Sequence, residues 1–326
     1  MDHGIAVLMP AHMERTIRDD RAVLTGRVHS AEALSEVIPS WNIRSDDSVV
    51  VEVVLRPIYP EGPGPDFILG RWSKDASRRT SVNDQENEFG SVETDVLKLK
   101  RPAKQLDVEL IVEGEIKLKS LTLATNPNAG PSDPHKRAWG KELVISPLRQ
   151  RDFEGGGVLC SPTCVSMVMG WWAAKKARSE WALGVPALKE LVWDPAWNGA
   201  GNWAFNTAVP GSLNGLEARV VRLRSLRDVE LLVDAGVPVT CSVSRARLKG
   251  SLVREENDGH LVVVAGFNDI GDPIVNDPGP AEQNRRTYLR QDFANAWSES
   301  KNTSYLIHPE GWPMPGEPGP WPRPNL

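Results

Sequence analysis

The chain has 326 residues, 40% hydrophobic and 25% charged, an ordinary globular mix that excludes a disordered, collagenous or coiled-coil protein. Its 38 Lys and Arg against 43 Asp and Glu give a net charge of −5, so there is no electrostatic ground for a nucleic-acid partner. The longest apolar runs, such as residues 261–267, fall far short of the ~20 residues of a membrane-crossing helix. At roughly 100 to 200 residues per domain, the length suggests two domains.

Residues 1–20 read as a charged leader. They carry Asp2 and His3 where an export signal carries Lys or Arg, and the apolar stretch that follows is short and lacks a small-residue cleavage site. No signal peptide is therefore expected, and the cytoplasm is the default location. Residues 21–125 read as strands: 49–55, 66–72, 106–112 and 115–125 are rich in Val, Ile and Leu. In the last, Ile116, Leu118, Leu121 and Leu123 are set among Lys and Ser, as in a half-buried strand. Gly and Pro at 60–65 and the polar stretch 77–90 supply the turns, so a β-sandwich-like domain is expected.

Residues 126–142 combine Pro, Gly, Asn and scattered charge and read as a linker. Beyond it the pattern changes. Residues 161–176 and 226–235 have helical spacing, whereas 237–244, 261–267 and 273–276 are strand-like, so residues 143–308 are expected to form an α+β domain. The tail 309–326 has seven Pro in eighteen residues and reads as an extended strap against the body.

The chemistry centres on Cys160, which follows Gly155-Gly156-Gly157 and precedes Ser161-Pro162. Pro is favoured in the first turn of a helix, where its missing N–H has no partner, so Cys160 is placed at a helix N-terminus. There the unpaired N–H groups and the macrodipole lower a thiol pKa. The glycines in front, Gly157 nearest the thiol, let backbone approach a substrate. Cys164, one turn on, reads as packing. Two cysteines four apart with no His nearby are not a zinc pattern, so no metal or other cofactor is expected, and three cysteines form no disulfide framework.

A thiolate needs a base and the base an orienting group. Of six His, His260 is distinguished because it opens the apolar run 261–267, followed by a turn at 268–272 and Pro273-Ile274-Val275-Asn276-Asp277, a hairpin signal. A turn centred between Asn268 and Asp269 sets His260 directly opposite Asp277, with side chains about 5 Å apart on one face. A turn one residue later would let Gly271 carry the bend instead.

Taken in order, Gln150, Cys160-Ser161-Pro162-Thr163 entering Met167-Val168-Met169-Gly170-Trp171-Trp172, then Gly259-His260 with the apolar run, then Ile274-Val275-Asn276-Asp277-Pro278 resemble the papain-like cysteine peptidases of family thirty-nine. That family includes the double-glycine leader peptidases of bacteriocin exporters and stand-alone bacterial relatives. The resemblance implies a papain-like fold, a central helix carrying Cys on an antiparallel sheet, with a peptide or protein as substrate. It assigns Cys160 as nucleophile, His260 as base, Asp277 as its orienting group and Gln150 as a donor to the oxyanion. Gln150 lies ten residues before Cys160, farther than in the leader peptidases, and Ser161 stands where they carry Gly. Residues 39–42, 70–72, 202–207 and 293–297 are similar to the stand-alone relatives. Among them Asn202 and Trp203 are expected at the substrate, Trp203 as a cleft wall or else as core. The resemblance also allows an exported protein whose N-terminal domain meets a glycan or a cell-surface partner. Two other functions fit the same residues: a binding protein that holds peptide or glycan without turnover, and an acyl transferase in which an amine resolves the acyl-enzyme.

Overall fold

Apolar and polar residues alternate through the N-terminal third, and the chain answers with antiparallel strands. The structure, a computed structural model, describes residues 1, 3–127, 129–280 and 282–322. Packing divides the chain into two units, one of Met1–Asn126, Glu190–Asn214 and Ala218–Val220, the other of the remaining described residues.

The first unit holds β1 (Ile5–Leu8), β2 (Glu14–Arg18), β3 (Arg21–Ser45), β4 (Val50–Tyr59), β5 (Gly62–Pro63), β6 (Phe67–Trp72), β7 (Gly90–Glu93), β8 (Val96–Glu113) and β9 (Ile116–Ala124). Their order is β1-β9-β3-β8-β4-β5, with β2, β6 and β7 pairing onto β3, β4 and β8. Besides its hairpin with β2, the long strand β3 serves two ladders. Up to Val37 it pairs with β8, and from Ile38 to Ser45 with β9, the kind of switch by which one strand turns the corner of a sandwich. Along β8, Leu106, Val108, Leu110 and Val112 are buried, while Asp107 and Glu109 alternate with them and pair with Arg27 and Arg18. The core is therefore one face of each strand.

The expected leader is instead part of this sheet system. Residues 5–8 extend it along β9, and 14–18 form a hairpin with β3. The charges that suggested a leader are its turn: Asp19 and Asp20 have φ of 50° and 60°, the left-handed pair a two-residue hairpin loop requires and Asp tolerates.

Three helices come next, α1 (Cys160–Lys176), α2 (Val185–Val192) and α3 (Trp203–Ser212). α3 belongs to the first unit and packs on β3. Its free N–H groups are met by carboxamide and carboxylate. Asn202 accepts from Phe205 at 3.0 Å, and the buried Asp95 accepts from Trp203 and, at 3.0 Å, from Ala204. Gly211 fits because a Cβ there would lie 2.6 Å from Asn42 Oδ1. Asn42 in turn exchanges hydrogen bonds of 2.8 and 2.9 Å with the backbone of Ala218.

The second unit is built on β11 (Val239–Ser244), β12 (Gly259–Phe267), β13 (Pro273–Asn276), β14 (Arg285–Thr287), β15 (Thr303–Pro309) and the ends of β10 (Leu216–Arg222), whose Ala218–Val220 belong to the first unit, with α4 (Leu226–Asp234), α5 (Arg245–Leu248) and α6 (Arg290–Ser298) between them. The strand order is β10-β15-β11-β12-β13-β14. α1 is apolar almost all round, as a buried helix must be, and lies on β12 and β15. Trp172 fixes it there by donating to the Ile307 carbonyl at 2.8 Å. No helix among the described residues is long and apolar enough to cross a membrane.

The segment expected as a free linker is docked from its second half on. A 3-10 turn at Lys136–Ala138 leads into Trp139 and Glu142, which bridge to Phe267 and Gly266 of β12. The tail is a strap as far as it is described: Trp312 stacks edge-on against Trp172 at 4.7 Å and donates to the Ala235 carbonyl at 3.0 Å. Residues 323–326 of that tail lie outside the described residues.

Glu230 ties these pieces together. Fully buried, it accepts from the His135 N–H at 2.6 Å, the Trp139 indole at 2.8 Å and the Arg290 guanidinium at 2.6 Å. Glu230→Ala is expected to cost about 3 kcal/mol in denaturant unfolding, because three donors lose their acceptor and one of them is charged. In the first unit, burial raises the Asp95 carboxyl from 3.8 to about 7, against the pull of its backbone donors. A carboxyl raised on folding favours the native state most below its unfolded value, and that contribution is lost as pH rises through the folded one. Asp95→Asn is therefore expected to flatten the stability profile between about pH 4 and 7, measured by urea midpoints across that range.

Candidate active site

Cys160 is the first residue of α1. No side chain caps this helix, so its first N–H groups are unspent. The loop in front is shaped by contact. A Cβ on Gly156 would lie 2.3 Å from the Gln150 carbonyl oxygen, whereas one on Gly157 would meet nothing. Gly156 is thus required by close approach, and Gly157 leaves the backbone beside the thiol open.

His260, second residue of β12, is 1% exposed and lies opposite Val243 on β11. Its Nε2 is 2.7 Å from Asp277 Oδ1, and the ring also hydrogen-bonds the Cys160 thiol, which leaves Nδ1 for the sulfur side. Asp277 is fixed in turn. Gly279 N–H donates to Oδ1 at 2.9 Å, the Tyr288 hydroxyl to Oδ2 at 2.6 Å, and Asn284 brackets its backbone, accepting from the N–H at 2.6 Å and donating to the carbonyl at 3.0 Å.

The structure thus brings Cys160, His260 and Asp277 together, although by a different register from the expected one. β12 and β13 pair Val263 with Asn276 and Val264 with Val275, then pass a bulge to Gly266 with Ile274 and Phe267 with Pro273. The turn is centred on Ile270 rather than between Asn268 and Asp269: Asn268 N–H donates to the Asp272 carbonyl at 2.9 Å, and Gly271 takes the bend at φ 87°. Direct opposition of His260 and Asp277 is therefore corrected. Asp277 lies one residue past the strand end and reaches back to the imidazole from the loop.

Electrostatics follow from this packing. Burial alone would raise the Cys160 thiol, but the hydrogen bond and charge of His260, the Leu261 N–H and the charge of Arg245 together lower it. Burial would lower His260, yet the bonds and charges of Asp277 and Cys160 outweigh it and lift the imidazole to about 9. Burial would likewise raise Asp277, and His260, Tyr288 and Gly279 bring it below its ordinary value. The other two thiols go the opposite way. Burial pushes Cys164 well up and Cys241 to about 12. The partly exposed Cys160 is thus drawn toward the thiolate form by its imidazole neighbour, whereas burial disfavours the thiolate at the other two.

Gln150 is buried in a 3-10 turn. Its amide nitrogen donates to the Gly156 carbonyl at 2.5 Å and lies 3.4 Å from that of Gly157, and its N–H bonds the Pro278 carbonyl at 3.0 Å. It therefore joins the loop before Cys160 to the loop after Asp277. Asn202 and Trp203 belong to the first unit, where Asn202 is buried as the cap of α3 and donates to Asp194 at 3.1 Å. Sequence reasoning missed Tyr288, Gly279, Asn284 and Arg245, whose guanidinium lies 3.4 Å from His260 Nδ1. Only Gly279 left a trace, as the third residue of Asp277-Pro278-Gly279. Among the described residues no group of His, Cys, Asp and Glu is placed to hold a metal ion. Asp277→Asn is expected to lower the His260 midpoint by about 1 to 3 units, since burial stays while its strongest opponent goes. NMR titration of the imidazole checks this.

Sequence comparison bears on this geometry. The Peptidase_C39 like family matches residues 142–305, and the Peptidase C39 N-terminal domain matches residues 7–127. Among solved structures, a Bacillus anthracis protein described as a C39-like peptidase is similar at 14% identity, covering 52% of this chain and 98% of its own, with a TM-score of 0.39. Infectious bursal disease virus, Gt strain, is similar at 9% identity over 37% of this chain and 31% of its own, TM-score 0.20. The CBM22-1-GH10 modules of Clostridium thermocellum xylanase 10B are similar at 9% identity over 51% and 34%, TM-score 0.19. No curated protein matches the chain. With a match spanning half of its length, the chain belongs to the Peptidase C39-like family.

Proposed function

We propose that the protein hydrolyses peptide bonds through Cys160, His260 and Asp277. One observation carries the reading: a partly exposed thiol at a helix N-terminus is hydrogen-bonded to an imidazole whose far nitrogen is held by a buried carboxylate. In that arrangement the thiol proton rests on His260 and the sulfur is the nucleophile. Its lone pair forms a C–S bond with the peptide carbonyl carbon, and the π electrons move to oxygen. The resulting oxyanion faces the N–H of Cys160, and Gln150, whose amide nitrogen makes only a long 3.4 Å contact to the Gly157 carbonyl, is the second donor to it. Collapse breaks the C–N bond as His260 gives its proton to the departing amine, leaving a thioester. Water then loses a proton to His260 as its oxygen attacks the acyl carbon. The C–S bond breaks, and acid product leaves the thiolate and imidazolium as they began. Asp277 stays ionised throughout and keeps Nδ1 aimed at the sulfur.

The test is the rate of iodoacetamide alkylation at Cys160 against pH, in wild type and in His260→Ala, with the site read by mass spectrometry. Cys160 is expected to react below the ordinary thiol range near 8.5 and ahead of Cys164 and Cys241. In the variant its rate at pH 7 is expected to fall at least about tenfold, because each added unit of thiol pKa removes about nine tenths of the thiolate. Ordinary thiol titration in both proteins would overturn the reading.

A further inference from the structure

Arg245 is placed by the same strand pairing that places His260. Val243 and Ser244 of β11 oppose His260 and Gly259 of β12, and the Arg245 N–H continues the ladder to the Asp258 carbonyl at 3.0 Å. Arg245 then opens α5, two residues past Val243, which lies opposite His260, so the imidazole is within reach of its long side chain. Its guanidinium ends 3.4 Å from His260 Nδ1, on the sulfur side of the ring, and the side chain is half-buried.

Its neighbours are matched with acids and it is not. Arg247 lies 3.4 Å from Glu299, Arg254 3.5 Å from Asp258, and Arg290 2.6 Å from Glu230. Asp258, whose backbone carbonyl accepts the Arg245 N–H, has its carboxylate engaged elsewhere. It accepts from the Ser244 hydroxyl at 2.6 Å and the Ala246 N–H at 3.0 Å. Among the described residues Arg245 has no carboxylate within ion-pair distance. A guanidinium beside an imidazole that must carry a proton is a like-charge contact; the Cys160 thiol, which the charge of Arg245 helps to lower, offsets it in part, and the guanidinium keeps further N–H donors for a second anion. A planar fork of donors matches a carboxylate bidentately.

We propose that Arg245 binds a carboxylate of the substrate, next to the scissile bond on its leaving-group side. This rests on the reading of the site as a thiol hydrolase. The side follows from the chemistry: His260 delivers its proton to the departing amine, so a group against the imidazole lies beside that half of the substrate. The carboxylate is an acidic side chain just after the bond or the free C-terminus of a substrate that ends there. The protein therefore acts on acidic or C-terminal sites rather than neutral ones.

Two alkylating agents of like size test this without a known substrate, since iodoacetate carries a carboxylate and iodoacetamide does not. The ratio of their rates at Cys160 cancels the thiolate fraction. It is expected to exceed that of N-acetylcysteine by about tenfold or more, to fall at least about fivefold in Arg245→Gln, and to return only in part in Arg245→Lys, which keeps the charge and loses the fork, as a charged hydrogen bond of ~1.5 kcal/mol implies. A ratio unchanged in Arg245→Gln overturns the proposal. Failure of the hydrolase reading is separate, and appears as iodoacetamide labelling indifferent to His260. The source is then resolved by three peptides scored for protection of Cys160: Asp after the bond with an amidated end, Ala with a free carboxylate, and Ala amidated. Stronger protection by the first or the second, lost in Arg245→Gln, identifies the carboxylate. Protection by the neutral peptide equal to that by both acidic ones counts against the proposal.

Discussion

A protonated imidazole cannot be buried on its own, because removing a cation from water costs several kcal/mol that only a fixed counter-charge offsets. The second unit is organised around that constraint. Asp277 supplies the charge at 2.7 Å, and the loop after β13 satisfies both its carboxylate oxygens with the Tyr288 hydroxyl and the Gly279 N–H. Gly279 has to be small, since a Cβ there would sit 3.1 Å from the imidazole. The docked segment before α1 depends on the same place, for Gln150 bonds the Pro278 carbonyl on one side and the Gly156 carbonyl on the other.

The three thiols show how far environment overrides residue type. All sit on or against the same helix and sheet, and all lose water. Cys160 alone combines partial exposure with an imidazole and the Leu261 N–H, and it alone falls below the ordinary value. Cys164 is one turn deeper and meets only desolvation and the charge of other anions. Cys241 has a weak donor in Ser304 at 3.7 Å, too little to offset burial. Position on a helix is therefore a beginning, and the neighbour across the sheet decides.

What the sequence made legible is local. Richness in Val, Ile and Leu located β4, β6 and the end of β8, alternation located β9, helical spacing located α1 and α4, and the unbroken run after His260 located β12. Pro162 next to Cys160 marked the helix start, and the lone His before an apolar strand marked the base. What it left hidden depends on distant partners. The bulge at Val264 and Gly266 shifts the hairpin register, and its one trace in the sequence is Gly266 inside an otherwise apolar run. Trp139 looked like linker because Glu230, the buried acceptor of its indole, lies far along the chain. Arg245 and Tyr288 carry no motif, and each reaches the site only through the fold. β1 is apolar but only four residues long, and β2 was masked by charge, since Glu14–Arg18 is exposed throughout and is a strand only by virtue of pairing with β3.

The path of residues 190–214 has its own meaning. They fall inside the stretch matched by the peptidase family, yet they pack with the N-terminal strands. α3 buries Ala204, Phe205, Ala208 and Val209 there and has its first N–H groups answered by Asp95. Two regions that look like successive beads on the family map are thus stitched through one another in their folding. A recombination event between residues 127 and 142 would hand a new host a peptidase segment with a bare apolar helix. The pairing of these two regions should therefore be inherited as a whole.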